Sequence, residues 1–470
     1  MWLCIDQGGH STRAAALDAE GRIVIEESAP LERVVRAPHF VEHDPAALLR
    51  SVDRCLEGVV SRLGPRVAEL EAVGLATQRS TLLCAAKRGD ALTPLISWQD
   101  RRGQEDLAQF GSAAERITSI TGLRLSPHYG AGKLRWCLQH LEAVRRHRER
   151  GDLVAAPLAS YLVHHLCEGT PWRVDPVNAS RTLLMDMRTA SWSPELLALF
   201  GLSAAMLPDI APCRSSYGSV ALGKRRVPLT VVTGDQAAAL YCLGEPSAGT
   251  AFVNIGTGAF VQVATGGEPV VDPGLLSSVV WQDGRGTVYV LEGTVNGAAS
   301  AVDEVSATLG VRLDPRGSEL ARAFAAIEHA PLFLNGVSGL GSPDWVADFA
   351  SRFEGEGGPS ERIAATYESV AFLIVRNLER MRRHGQLSSL TVSGGLAQLD
   401  WLVQYLADLS GLPASRPAET EATLTGLAYL LSGGRSRRSA RPRRFLPGEN
   451  AVARRRYGAW TKAMEVGLAG

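Results

Sequence analysis

The chain has no apolar run approaching 18 residues and no basic leader ahead of an apolar stretch. Neither a membrane-spanning helix nor a signal peptide is therefore expected. It has no C-x-x-C pair; seven cysteines stand alone at 4, 55, 84, 137, 167, 213 and 242. An odd, scattered set excludes a disulfide scaffold, makes a zinc site unexpected and fits reduced thiols in a cytoplasmic protein. The N-A-S sequon at Asn178 is then expected to carry no glycan. Net charge is also absent, with 49 basic against 49 acidic residues, which argues against a chain built as a whole for nucleic acid or a membrane surface. The one basic cluster is R-S-R-R-S-A-R-P-R-R from Arg435, with R-R-R at 454–456. It lacks the interleaved aromatics of a nucleic-acid groove and reads as a solvated loop and a solvated helix face.

What remains is the composition of a globular enzyme, 45% hydrophobic and 21% charged, in 470 residues. That length is too great for one core, so two domains are expected. W-L-C-I-D near the start reads as a buried strand, and A-A-A-L-D-A-E-G-R-I-V-I-E as a strand, a turn and a strand. Asp44-Pro45 opens a helix, with a side-chain acceptor at the N-cap and proline at the first position. Leu48, Leu49, Val52, Leu56, Val59, Val60 and Leu63 follow at helical spacing. A-V-G-L-A-T-Q (72–78) is a further buried strand. The second half repeats this grammar: T-A-F-V-N-I-G-T-G-A-F-V-Q-V from Thr250 is strand, glycine turn, strand. A helix then carries Ile363, Tyr367, Val370, Ile374, Leu378 and Met381 on one face, and S-L-T-V-S-G-G-L-A-Q-L-D-W-L-V from Ser389 is strand, double glycine, helix. Alternating strands and helices imply an α/β architecture. Two halves opening alike imply two related lobes, 1–244 and 245–470, divided at the turn-rich G-E-P-S-A-G.

Chemistry concentrates in four places. D-Q-G-G-H-S-T-R (6–13) offers consecutive backbone N–H groups in a glycine turn, two hydroxyls and Arg13, all suited to phosphate. I-G-T-G (255–258) offers a second such turn with Thr257. Each alone also reads as an ordinary hairpin. T-G-D-Q-A-A-A-L (233–240) puts Asp235 at the end of an apolar strand and the start of a helix, as a proton acceptor for a hydroxyl nucleophile or as a simple N-cap. Gln78 and Arg79 end another strand, with Trp98 and Asp100 beyond. Arg79 can donate to substrate hydroxyls and Trp98 can form an apolar wall, or the two are a surface arginine and a core tryptophan.

Taken together these stretches resemble the FGGY family of carbohydrate kinases, and within it the glycerol kinases. H-F-V-E-H-D-P (39–45), W-Q-D-R-R (98–102), T-G-L-R-L-S-P (121–127), V-N-A-S-R-T-L-L (177–184), G-D-Q-A-A-A-L (234–240), I-G-T-G-A-F (255–260), S-G-L-G-S-P-D-W (338–345) and S-G-G-L-A (393–397) fall in the family's order and spacing from end to end. The resemblance implies an actin-like ATPase fold with two ribonuclease-H-like lobes around a cleft. It also implies ATP-dependent phosphorylation of a polyol or sugar with Mg²⁺, in a homodimer or larger homo-oligomer. Carried over position by position, Asp235 is the general base, and Asp6 helps to place Mg²⁺ together with Asp235. Gly8, Gly9, His10, Ser11 and Arg13 hold phosphate in the first turn, and Thr257 and Gly258 in the second. Gly394 and Gly395 match the loop near the adenosine. Arg79, Ser80, Trp98, His128, Gln236 and Phe260 match the acceptor pocket.

The departures are specific. Ser80 stands where glycerol kinases carry a glutamate, and His128 where they carry a tyrosine. A site built around particular hydroxyls discriminates strongly, so these changes open the pocket to a polyol or ketose larger than glycerol. The alternative is that Tyr129 swings in and water fills the glutamate's place. Gly9-His10 replaces a pair of threonines, which leaves backbone amides, Ser11 and a charge-dependent His10 contact to meet phosphate. Asp303 stands where glutamine is common, and Leu399 and Asp400 where alanine and asparagine are. The loop 223–226 is too short for the longer regulatory loop of many bacterial glycerol kinases. Two other readings stand beside it: a non-catalytic sugar or nucleotide sensor on the same fold, and an actin-like filament protein, which leaves Arg79 and Trp98 unexplained.

Overall fold

The computed structural model describes residues 1–37, 39–418, 421–435 and 441–469. The first half is organised by a sheet whose inner strand is β1 (Trp2–Gln7), buried along its whole length. It runs antiparallel to β2 (Ser11–Leu17), which pairs with β3 (Ile23–Pro30). On its other side β1 is parallel to β4 (Ala72–Thr77). The sheet is completed by β5 (Arg214–Leu222) and β6 (Arg225–Gly234), in the order β5-β6-β4-β1-β2-β3. β1 is apolar on both faces because both are covered. Leu3 and Ile5 join the cluster that includes helix α1 (Pro45–Leu63), while Trp2 and Cys4 join a cluster on the opposite face. As its sequence implies, α1 starts at Asp44, whose side chain accepts from the Ala46 N–H, and it buries Leu48, Val52, Leu56, Val59 and Leu63. A second, five-stranded sheet is built from 34–37, 40–43, 82–86, 95–96 and 153–157. Helix α2 (Gly130–His140) packs beneath it, with Ala131, Leu134 and Cys137 buried in its cluster.

The second half repeats the plan. Strands β7 (Thr250–Ile255), β8 (Ala259–Gly266), β9 (Leu276–Asp283), β10 (Gly286–Val295), β11 (Ser389–Ser393), β12 (Ala414–Arg416) and β13 (Arg443–Phe445) form one sheet in the order β9-β10-β8-β7-β11-β12-β13. The core order β3-β2-β1-β4-β6 of the first sheet matches β10-β8-β7-β11-β12 of this one. Each has two antiparallel pairings followed by two parallel ones. The helical pattern after Glu361 is α5 of the molecule (Pro359–Met381); before it come α3 (Asp235–Leu240) and α4 (Ala299–Leu309), and after it α6 (Asp400–Ser410), α7 (Ala422–Leu431) and α8 (Ala451–Ala469).

The halves are joined by α7. Leu424, Leu427, Ala428 and Leu431 share the apolar cluster of α3, Trp2 and Cys4. Helices α7 and α3 meet so closely that a Cβ at Gly426 would lie 1.8 Å from the Ala238 carbonyl oxygen. All seven cysteines are free and buried, and Asn178 is buried, donating to Asp175 at 2.8 Å. One expectation is corrected: the R-R-R face of α8 is not wholly solvated. Arg456 lies on the inner side with Ala453 and Trp460, pairs with Glu368 at 2.6 Å and donates to the Ala330 and Pro331 carbonyls. A buried arginine persists there because its donors are met. Arg454 and Arg455 are exposed, and residues 436–440 of the basic loop lie outside the described residues.

Candidate active site

The carboxyl ends of β1, β4 and β6 lie side by side, the place where parallel α/β sheets build their sites. Asp6 and Thr233 are both in register with Ala76. Asp6, at the end of β1, Gln78 and Arg79, just past β4, and Asp235, just past β6, therefore converge. Burial pushes the Asp6 carboxyl up to about 7, and repulsion from Asp235 adds to it, against the pull of Arg13. Burial likewise raises Asp235, opposed by Arg79, by the Gln236 N–H and by Arg181. Two buried carboxylates, near enough for Asp235 to raise Asp6, offer hard oxygens whose charge a divalent cation would relieve. Among the described residues no cluster of three or more acidic, histidine or cysteine side chains is present, so the candidate cation site has these two protein donors.

The first turn is closed by the Gly8 N–H on the Ser11 carbonyl at 3.0 Å. Across the hairpin Asp6 pairs with Arg13, whose guanidinium reaches Asp6 at 3.0 Å and also bonds Glu421, just ahead of α7. His10 is exposed, and its carbonyl accepts from the Leu31 N–H at 2.8 Å. Gly9 abuts the acceptor side: a Cβ there would lie 3.1 Å from Gln78 Oε1.

The second turn is closed by the Gly256 N–H on the Gly258 carbonyl at 2.8 Å, with Thr257 exposed at its tip. A Cβ at Gly258 would meet the Val295 carbonyl at 2.7 Å. Gly394, with φ 93°, would bring a Cβ within 2.5 Å of the Ile255 carbonyl, so the two turns touch backbone to backbone. Gly395 beside it faces open space. The second turn, Gly394 and Gly395 thus form one surface, as the double glycine predicts. Asp303 lies on α4, exposed and 3.6 Å from Arg312, and Asp400 pairs with Arg416 and Arg443 at 3.0 and 2.7 Å.

On the acceptor side Arg79 is buried. Its Nη2 donates to Gln236 and lies 3.4 Å from Glu292, and its Nη1 has no partner. Gln78 is buried with both amide atoms unpartnered. Ser80 takes a left-handed φ of 63°. Trp98 is 41% exposed, forming the rim. His128 is also exposed; its Nδ1–H donates to the Trp98 carbonyl at 3.1 Å. Tyr129 is the residue turned inward, buried beside Arg181, Arg79 and Glu292. Phe260 is half-buried on β8, level with Asn254 and Thr294.

Two side chains that sequence reasoning passed over hold this region together. Lys133 of α2, wholly buried, donates to the carbonyls of Ser80 (3.1 Å), Ser97 (2.7 Å) and His128 (2.8 Å). Burial pushes its ammonium down to about 7. Glu292 of β10, a lone charge in the apolar run V-Y-V-L-E-G, was legible only as an anomaly within a strand. It receives Arg181 at 3.0 Å, Gln262 at 2.9 Å and Arg79.

The family models agree with this geometry. Residues 1–242 match the N-terminal domain and 251–432 the C-terminal domain of the FGGY family of carbohydrate kinases. The chain is 36% identical over 457 residues to a glycerol kinase of Alkalilimnicola ehrlichii, covering 94% of this chain and 91% of that one. It is 33% identical over 444 residues to a glycerol kinase of Geobacter sp. strain M21, covering 92% and 90%. In fold it matches Plasmodium falciparum glycerol kinase with ADP, with a TM-score of 0.89, 23% identity and coverage of 100% and 98%. It also matches gluconate kinase from Lactobacillus acidophilus, with a TM-score of 0.86, 17% identity and the same coverage. With both halves matched and the fold shared from end to end, the chain belongs to the FGGY family of carbohydrate kinases, enzymes that use ATP to phosphorylate a hydroxyl of a sugar or polyol.

Proposed function

We propose that this kinase acts on a polyol or ketose larger than glycerol, with Asp235 as the base that accepts the proton of the attacking hydroxyl. The observation that carries the mechanism is the convergence of Asp6, Arg79 and Asp235 at the strand ends, with Asp235 buried beside Arg79 and Gln236. Asp6 and Asp235 would hold Mg²⁺, which supplies charge neutralisation of the phosphates when bound. The Gly9 amide, with His10, Ser11 and Arg13, faces the transferred end of the nucleotide, and the Gly8 N–H closes the turn that presents them. Thr257, Gly258, Gly394 and Gly395 serve its remainder. Arg79, Gln236 and Ser80 meet acceptor hydroxyls, while Trp98, His128 and Phe260 bound the pocket. The lobes are 1–244 and 245–470, and the assembly is a homodimer or larger. Seven buried free thiols suit a reducing, cytoplasmic setting.

The larger acceptor rests on Ser80, a short side chain where relatives carry glutamate, and on Gly9, which leaves the space beside Gln78 free of a side chain. The test is a coupled ADP-release assay over three- to seven-carbon polyols and ketoses, glycerol included, with wild type and Asp235→Asn. The expected result is highest kcat/KM on an acceptor longer than three carbons, and loss of nearly all turnover in Asp235→Asn while ligands still raise its Tm. Full activity of that variant would sink the mechanism, and a clear preference for glycerol would sink the acceptor assignment.

A further inference from the structure

We infer that Glu292 is a positioning residue for the acceptor, reaching from one half of the molecule to hold the arginine of the other half that meets the substrate; this rests on the kinase reading above. Arg79 and Arg181 come from the first half, on the ends of β4 and of the short helix Pro176–Ser180. Glu292 comes from β10 of the second. Its Oε2 lies 3.4 Å from Arg79 Nη2 and 3.0 Å from Arg181 Nη2, and its Oε1 lies 3.2 Å from Arg181 Nη2. Gln262, its cross-strand neighbour, donates at 2.9 Å, and Ser278 receives Arg181 at 2.8 Å. Glu292 is 1% exposed, Arg181 4% and Arg79 9%.

This buried carboxylate is already engaged by two guanidiniums and an amide, three of the contacts falling on Oε2 and one on Oε1. Its effect passes through Arg79. The Arg79 fork is planar and rigid. Fixing Nη2 on Glu292 and Gln236 fixes the direction of Nη1, which is buried and has no protein partner. A buried donor left unmet is costly, and the group able to meet it is an oxygen of the bound acceptor. Gln236 belongs to the same half as Arg79 and Glu292 to the other, so Arg79 is held at both points only when the halves are together. The acceptor pocket is thereby coupled to the relation between lobes.

The experiment uses the full chain in a coupled ADP-release assay, with glycerol and ribitol as acceptor probes. Glu292→Gln removes the charge and keeps the shape, Glu292→Asp keeps the charge on a shorter stem, and Arg181→Lys weakens the clasp without touching Arg79. The expected result for Glu292→Gln is a KM for acceptor raised about tenfold or more, the worth of one well-made hydrogen bond, with KM for ATP changed less than twofold. Glu292→Asp should recover part of that loss, and Arg181→Lys should move acceptor KM in the same direction by a smaller factor. Melting temperatures of all variants separate folding from positioning. If Glu292→Gln does not fold, the Arg181→Lys and Glu292→Asp values decide. Equal rises in both KM values, or a fall in kcat with acceptor KM unmoved, would overturn the inference while leaving the kinase intact. No ADP release from wild type with any polyol or ketose would overturn the reading it rests on.

Discussion

At the scale of the residue, the site is a matter of which charges are met and by whom. Burial alone would raise Glu292, but Arg181 and Arg79, with the hydrogen bonds from Arg181 and Gln262, outweigh it and hold the carboxyl down at about 2. A carboxylate lowered in the folded state stabilises the fold above its unfolded pKa and loses that contribution as pH falls through the folded one. The window is therefore about pH 4.5 down to 2, and the linkage is worth about 3 kcal/mol above it. The stability gap between wild type and Glu292→Gln, followed by urea unfolding, should be constant from pH 7 to 5 and shrink below pH 4.5; a gap that widens there contradicts the clasp. The sequence showed Asp6, Arg79 and Asp235 because each lies at the end of a strand, Asp6 before a glycine turn and Asp235 at a helix start. It did not show Glu292, since a charge within V-Y-V-L-E-G is meaningful only once Arg181, 111 residues away, is known to face it. Local pattern carries no information about such a partner.

At the scale of the element, the acceptor rim is three loops tied to one helix. Lys133 sits on the inner face of α2, and its ammonium serves the carbonyls of Ser80, Ser97 and His128, which no strand pairing satisfies together. Replacing it with methionine removes the ammonium from the Ser80 and His128 carbonyls and leaves that of Ser97 with the Asp100 N–H alone, a cost of roughly 2 kcal/mol or more. Lys133→Met should lower Tm and raise the KM for acceptor, with KM for ATP little changed; a variant with parental Tm and kinetics would show that the loops hold themselves. The strands, glycine turns and α1 were readable from periodicity and capping. Whether His128 or Tyr129 turns inward stood open in the sequence, with Tyr129 as the alternative, because adjacent residues at the entry to a helix differ only in which way the loop delivers them, and Trp98 and Arg181 decide it for Tyr129.

At the scale of the whole molecule, the repeat of strand order in the two halves accounts for the paired glycine turns: each half joins the first two strands of its sheet through one such hairpin. The similarity of the openings was visible in the sequence, but the way the halves are joined was not. Helix α7, from the second half, lies in the core of the first and crosses α3, the helix that begins with Asp235. Gly426→Ala would drive a methyl into the Ala238 carbonyl, an overpacking of backbone against backbone that costs about 1–3 kcal/mol or more. That variant should lose activity on every acceptor in proportion, with a lower Tm; normal kinetics and stability would refute so close a crossing. The contact also has a mechanical meaning. Ordinary contacts accommodate displacement by changing rotamers, and at Gly426, between the flanking leucines of α7, there is no side chain to change. Backbone against backbone, that contact keeps α7 in register on α3, and with it the place of the helix that begins with Asp235.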